Sequence, residues 1–179
     1  MIKLHIGCGK RNFGDDWVHI DKANYPHIKY HIIKFLPYQD KSVDLIYASH
    51  VIEYFDREEV LDVLREWYRV LNVGGILRLA VPDFREMAKL YINNDFPLDS
   101  FLGPLYGKMK VNDDFIYHKT VYDDESLIDI LGKTGFACVR QWDWRKVDHG
   151  IFDDQSQAYL PKMDKKNGTL ISLNIEAIK

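Results

Sequence analysis

Leu4-His5-Ile6-Gly7-Cys8-Gly9, followed at a short distance by Trp17-Val18-His19-Ile20-Asp21, is the stretch whose reading decides the fold. Ile2 to Ile6 alternate apolar and polar residues, as a strand does, and run into a glycine turn. Trp17 to Asp21 reads as a second short strand ending on a carboxylate. Only about ten residues separate the two strands, whereas a parallel crossover normally takes roughly a dozen or more. The first crossover is therefore expected to be a loop or a stunted helix.

Downstream, Lys29 to Ile33 suits a third strand that Pro37 ends, and Val43 to Ala48 is apolar and β-prone enough for the centre of a sheet. Asp56, with Glu59 three residues on, gives a capping-box-like helix start. Val60, Leu61, Leu64, Tyr68 and Leu71 then repeat at helical spacing. Gly74-Gly75 is expected to stop that helix. Ile76 to Val81 reads as a buried strand and Phe84 to about Tyr91 as a helix. Residues 93 to 123 mix glycines, prolines and aromatics and read as one irregular segment, of a length that is often functional. A short capped helix from Asp124 to Lys133, a strand from Phe136 to Trp142, a connection to Gly168 and a long strand from Thr169 to Ile178 complete the chain. Strands and helices alternate, so the fold class is α/β, doubly wound around a mainly parallel sheet, with residues 1–179 as a single domain. Ligands of such sheets bind beyond the carboxyl ends of the strands.

The glycine turn and Asp21 sit at that edge. Glycine lets a backbone approach a ligand closely, and a carboxylate at the end of the next strand can accept both hydroxyls of a ribose. Two kinds of nucleoside cofactor fit such a pair. A nicotinamide dinucleotide wants a third glycine and a helix N-terminus for its pyrophosphate. The third glycine position is Asn12 here and the crossover is short. S-adenosylmethionine carries no phosphate and needs neither feature.

Beyond that pair, Leu36-Pro37-Tyr38, then Asp44 through Ser49-His50-Val51-Ile52-Glu53-Tyr54, and Leu71-Asn72-Val73-Gly74-Gly75 before Val81-Pro82, resemble the class I S-adenosylmethionine-dependent methyltransferases in order and spacing. The likeness extends more loosely to Gly135-Phe136 and to the last strand. It is nearest to short methyltransferases often encoded among surface-polysaccharide genes. The resemblance implies a Rossmann-like methyltransferase fold with an antiparallel C-terminal strand. It also implies that Gly7, Cys8 and Gly9 face the aminoacyl part of the cofactor and that Asp21 holds the ribose. Ser49 and His50 would lie near the sulfonium, and Ile32-Ile33 near the adenine. Three positions depart from the pattern: His5 stands where many relatives carry an acid, His31-Ile32-Ile33 lacks an aspartate for the adenine amine, and Asn72-Val73 replaces Lys-Pro.

The reaction so implied is methyl transfer to a small-molecule or glycan acceptor, with oxygen as the expected atom. A hydroxyl acceptor calls for a base, and histidine titrates near neutral pH. His118, in the irregular segment, is the first candidate, His50 the second and His149 the third. A non-catalytic binding module on the same fold, or an NAD-dependent oxidoreductase, are the competing readings. A net charge of −3 and the absence of an Asn-Pro-Pro-Tyr motif argue against a nucleic-acid substrate. The seven histidines and two cysteines show no metal-ligand spacing. No apolar run reaches the length of a membrane span. The cysteines, far apart in sequence, do not suggest a disulfide framework, and the expected location is the cytoplasm.

Overall fold

Leu4 and Ile6 turn one side of the first strand into the main core, while His5 between them stacks on Phe13 on the other side. That alternation is the physical basis of the whole sheet. The computed structural model describes residues 1–179 apart from Ile32. Parallel strands β1 (Lys3–Ile6), β2 (Trp17–Ile20), β3 (Ile28–Tyr30), β4 (Val43–Ser49) and β5 (Leu71–Pro82) lie in the order β3-β2-β1-β4-β5. After the small hairpin β6 (Met109–Val111) and β7 (Asp114–Ile116) come β8 (Ala137–Gln141), the short pair β9 (Tyr159–Leu160) and β10 (Thr169–Leu170), and β11 (Ser172–Ile178). β11 runs antiparallel between β5 and β8 and completes a seven-stranded sheet. The expected fold class, with its antiparallel last strand, is the one observed.

One face of the sheet is covered by α1 (Glu59–Val70) and α4 (Asp124–Lys133). Asp56 Oδ1 accepts from the Glu59 N–H at 2.8 Å and starts α1 as its position suggested. The buried stripe is Val60, Val63, Leu64, Trp67 and Val70, one residue round from the stripe read off the sequence. Trp67 explains the shift: the bulkiest fully buried side chain sets which line faces the sheet. The double glycine does not stop α1. Leu71 is already extended (φ −64°, ψ 140°), and Gly74, at φ +78°, instead takes the turn within β5. Asp123 caps α4 reciprocally with Ser126.

No helix forms between β1 and β2, as the short spacing requires. The second face of the sheet is covered there by Phe13, whose ring stacks on His5 at 3.9 Å and on Phe152 at 4.7 Å. Tyr47, Trp142 and His149 extend this aromatic layer, which single helical turns within residues 144–157 complete. Residues 93–123 are more ordered than their composition suggested. They hold the end of α2 (Phe84–Asn93), all of α3 (Asp99–Tyr106) and the β6–β7 hairpin. Gly103 and Pro104 hide α3 from a propensity reading, but Pro104 falls in its last turn, where few hydrogen bonds remain to be lost. The hairpin turns at Asn112, with φ +55°, and the Asn112 amide donates to the carbonyl of Lys22 at 3.4 Å.

Candidate functional site

Strand register alone brings the first candidates together. Ile6 pairs with Ile20 on β2 and with Ala48 on β4, so Gly7, Asp21 and Ser49 stand level at the carboxyl edge of three adjacent strands. The Gly7 N–H donates to the Ile20 carbonyl at 2.7 Å. Gly7 adopts φ +69°, and a Cβ there would sit 2.2 Å from Val51 Cγ2. Gly9, at φ +55°, has nothing within 4 Å of a Cβ, so its open side remains free for a ligand.

Asp21 closes this turn. Its Oδ2 accepts from the Gly9 N–H at 2.7 Å and its Oδ1 from the Ala23 N–H at 2.7 Å. A carboxylate has about four acceptor positions, so each oxygen retains one for a diol. Cys8 lies between the two glycines. Its thiol is buried, pushed up to about 12 by burial and by Asp21, and donates to the Gly9 carbonyl at 3.6 Å. His27 lies under the same turn, with Nε2 3.1 Å from that carbonyl. A groove of about 530 Å³, lined in part by Asn12, Trp17, His19 and His27, opens on the outer flank of β2, and neither His50 nor Asp21 lines it.

Past β4, His50 adopts φ +54°, uncommon for a residue with a Cβ and a mark of constrained sites. Its N–H donates to the Ala80 carbonyl at 2.8 Å. Ser49 Oγ and His50 Nε2 are both buried and make no hydrogen bond. His50 is pushed down to about 3 by burial, by His118 and by Arg11 of the loop that follows the glycine turn. His118 does reach this place. The N–H groups of Lys119 and Thr120 both bond the Glu53 carbonyl, which holds residues 118–120 against the end of β4. The His118 and His50 rings lie 6.5 Å apart. Burial also lowers His118, and His50 is neutral at physiological pH.

Other candidates fall elsewhere. The Ile33 side chain is in the main core and its carbonyl accepts from Trp67 Nε1 at 3.1 Å. Ile32 lies outside the described residues. His149 belongs to the aromatic layer, stacked 5.4 Å from Phe13 with Nε2 3.1 Å from Arg78 Nη1, which removes it from the edge. His5 points into the same layer, fully buried and held well below its usual range by burial. Glu53 and Tyr122 went unnoticed in the sequence. Glu53 is completely buried and lifted to about 8 by burial, and Tyr122 is lifted by burial and by Glu53. A lone acid in Val51-Ile52-Glu53-Tyr54-Phe55 was the available signal. Nothing local marked Tyr122.

Residues 16–79, from the approach to β2 into β5, match the family described as methyltransferase domain. The matched stretch includes Asp21, Ser49, His50 and Glu53. The fold is shared with a S-adenosylmethionine-dependent methyltransferase from Methanosarcina mazei (TM-score 0.60, 18% identity, 99% of this chain and 92% of that one). It is likewise shared with one from Archaeoglobus fulgidus (TM-score 0.54, 18% identity, 99% and 86%). A third solved structure with this fold is the 1,6-didemethyltoxoflavin-N1-methyltransferase of Burkholderia thailandensis, with bound 1,6-didemethyltoxoflavin and S-adenosylhomocysteine (TM-score 0.57, 10% identity, 99% and 70%). No curated protein matches the chain by sequence. The chain thus has the fold of these methyltransferases, and its residues 16–79 are similar to a methyltransferase domain.

Proposed function

We propose that this protein uses S-adenosylmethionine to methylate a small-molecule or glycan acceptor at oxygen. The observation that carries the reading is the level placement of the Gly7-Cys8-Gly9 turn, the Asp21 carboxylate and the unbonded Ser49 Oγ and His50 Nε2 at one sheet edge. The residues present fit the cofactor. Asp21 retains an acceptor position on each oxygen for the ribose hydroxyls, and Gly9 leaves space for the aminoacyl part. Ser49 and His50 offer polar atoms toward the sulfonium end. Because His5 is committed to the aromatic layer, the methionine amine is left to backbone carbonyls of the turn.

When bound, the cofactor supplies a methyl carbon already activated by its sulfonium, so the protein's part is positioning and, for a hydroxyl acceptor, removal of a proton. His50 and His118 are the imidazoles brought together at this edge for that role. The oxidoreductase reading loses its physical basis, because no helix N-terminus follows the turn to hold a pyrophosphate.

Calorimetric titration with S-adenosylmethionine and S-adenosylhomocysteine tests the cofactor. Asp21→Asn should weaken both by about 1–3 kcal/mol, the scale of a lost charge-assisted hydrogen bond. Unchanged affinity would move the cofactor away from this edge. Tight binding without methyl transfer to any hydroxyl acceptor would favour the binding-module reading.

A further inference from the structure

Glu53 makes no hydrogen bond through either carboxyl oxygen, although it is completely buried. A bare carboxylate in that position is costly. Its Oε1 lies 3.4 Å from His50 Nδ1 and 3.7 Å from His118 Nε2. The tautomer of His118 follows from its other contact. Nδ1 is 2.9 Å from the Pro104 carbonyl, which can only accept, so Nδ1 carries a proton. In a neutral ring Nε2 is then bare, and its lone pair faces Oε1. Two lone pairs do not face each other stably in a dry site. One proton therefore lies between Glu53 and His118, either as a carboxyl O–H or on an imidazolium.

Other groups around Glu53 do not supply that proton's counterpart. The Tyr54 phenol donates to the Gly107 carbonyl at 2.7 Å and the Tyr122 phenol makes no hydrogen bond; both are lifted by burial and, less, by Glu53. Lys119 directs its ammonium to Asp56 and Glu59. Arg11 weighs on His50 from the glycine-turn side. Among the described residues no group of three or more His, Cys, Asp or Glu is arranged to hold a metal ion.

We propose that Glu53 is a positioning residue that shares one proton with His118 and orients His50, Nδ1–H toward the carboxyl and bare Nε2 toward the acceptor. The acceptor is then a group that must lose a proton, a hydroxyl. This last step rests on the methyltransferase reading, while the shared proton does not. In the relay, the acceptor O–H bond breaks, its electron pair stays on oxygen and its proton passes to His50 Nε2. The Nδ1 proton of His50 moves to Glu53, and the proton Glu53 shared settles on His118 Nε2. Of the three side chains His50 is the least enclosed, at 14% exposed against 4% for His118 and 0% for Glu53, and its Nε2, buried and without a partner, is the one imidazole nitrogen of the cluster left for the substrate. Burial, which lifts Glu53 to about 8, keeps a proton in the cluster through neutral pH.

Histidine-selective 15N NMR of the cofactor-free protein tests the shared proton, with Glu53→Gln as the variant because its amide fills the same space but cannot titrate. In the native protein the His118 Nε2 signal should move together with the Glu53 carboxyl 13C signal, with a midpoint near pH 8. In Glu53→Gln that movement should vanish while circular dichroism is unchanged. A His118 Nε2 signal that is identical in both proteins across the pH range would overturn the proposal. For the acceptor half, Glu53→Gln should lower kcat by about 100-fold or more, the usual scale for proton-transfer assistance. KM for S-adenosylmethionine should stay within about twofold, and Glu53→Asp should recover part of the loss. Native kcat in Glu53→Gln would overturn that half. Failure of the native protein to bind S-adenosylmethionine would count against the methyltransferase reading and leave the shared proton standing on its own spectra.

Discussion

Gly7→Ala and Gly9→Ala make a matched pair, because the two glycines share a left-handed backbone and differ in what surrounds them. Gly7 has φ +69° and Gly9 φ +55°, so a Cβ costs each about 1–2 kcal/mol in backbone strain. Gly9 has nothing within 4 Å, and its substitution should cost that alone. At Gly7 the new Cβ would meet Val51 Cγ2 at 2.2 Å. Val51 is buried in the main core at the end of β4, so its methyl cannot simply swing away. Overpacking of this kind adds about 1–3 kcal/mol, for a total of roughly 2–5 kcal/mol at Gly7. Urea unfolding followed by circular dichroism would measure both, with an unchanged m-value showing that only stability moved. The double variant Gly7→Ala with Val51→Ala separates the two contributions. Removing the Val51 methyls should recover the packing part, a coupling of about 1–3 kcal/mol, and leave the backbone part in place. Equal destabilisation at Gly7 and Gly9, or no coupling to Val51, would refute the claim that Val51 sets the height of the turn.

Acid should unfold the protein early. His5, His19, His50, His118 and His149 are all lowered in the folded state, so the unfolded chain binds more protons below its ordinary histidine pKa near 6.5. Stability is then full above that value and falls as pH drops from 6.5 toward 3; a flat melting temperature across that window would contradict it. Glu53 acts with the opposite slope: raised from 4.5 to about 8, it makes folding less favourable as pH rises through that interval, and Glu53→Gln should flatten this alkaline decline. Tyr47→Phe removes the 2.5 Å bond from the buried phenol to Asp154 Oδ2 and should cost about 1–3 kcal/mol by leaving a buried acceptor short of a donor. A calorimetric melting temperature within one degree of the native value would show that this bond contributes little.

The first half of the chain was legible because its signals are local. The alternation of Leu4, His5 and Ile6, the short spacing to Trp17 and the apolar run from Val43 each dictate one element. The site edge was legible for the same reason: Gly7, Asp21 and Ser49 end consecutive neighbours in one sheet, so knowing the strands places the residues. What stayed hidden depends on distant partners. His118 meets Glu53 only because Lys119 and Thr120 bond the Glu53 carbonyl, a contact 66 and 67 residues long that no spacing announces. His5 reads as a gap in a cofactor pattern. The structure shows that it belongs to the Phe13 stack, which fills the space a crossover helix would otherwise occupy. The α3 helix escaped notice because Gly103 and Pro104 lower its propensity while Phe101 buries it into a small separate cluster.

The place of β11 has a consequence for how the chain is made. It lies between β5 and β8, yet its residues are synthesised some ninety positions after the end of β5. Until residues 172–178 emerge, β5 offers its backbone and the side chains of Leu77, Leu79 and Val81 along an open sheet edge. Such an edge is a template for pairing with other chains. The half-made protein is thus most vulnerable at the strand that later becomes one of its best protected, and slow translation of the second half should raise its demand for chaperones.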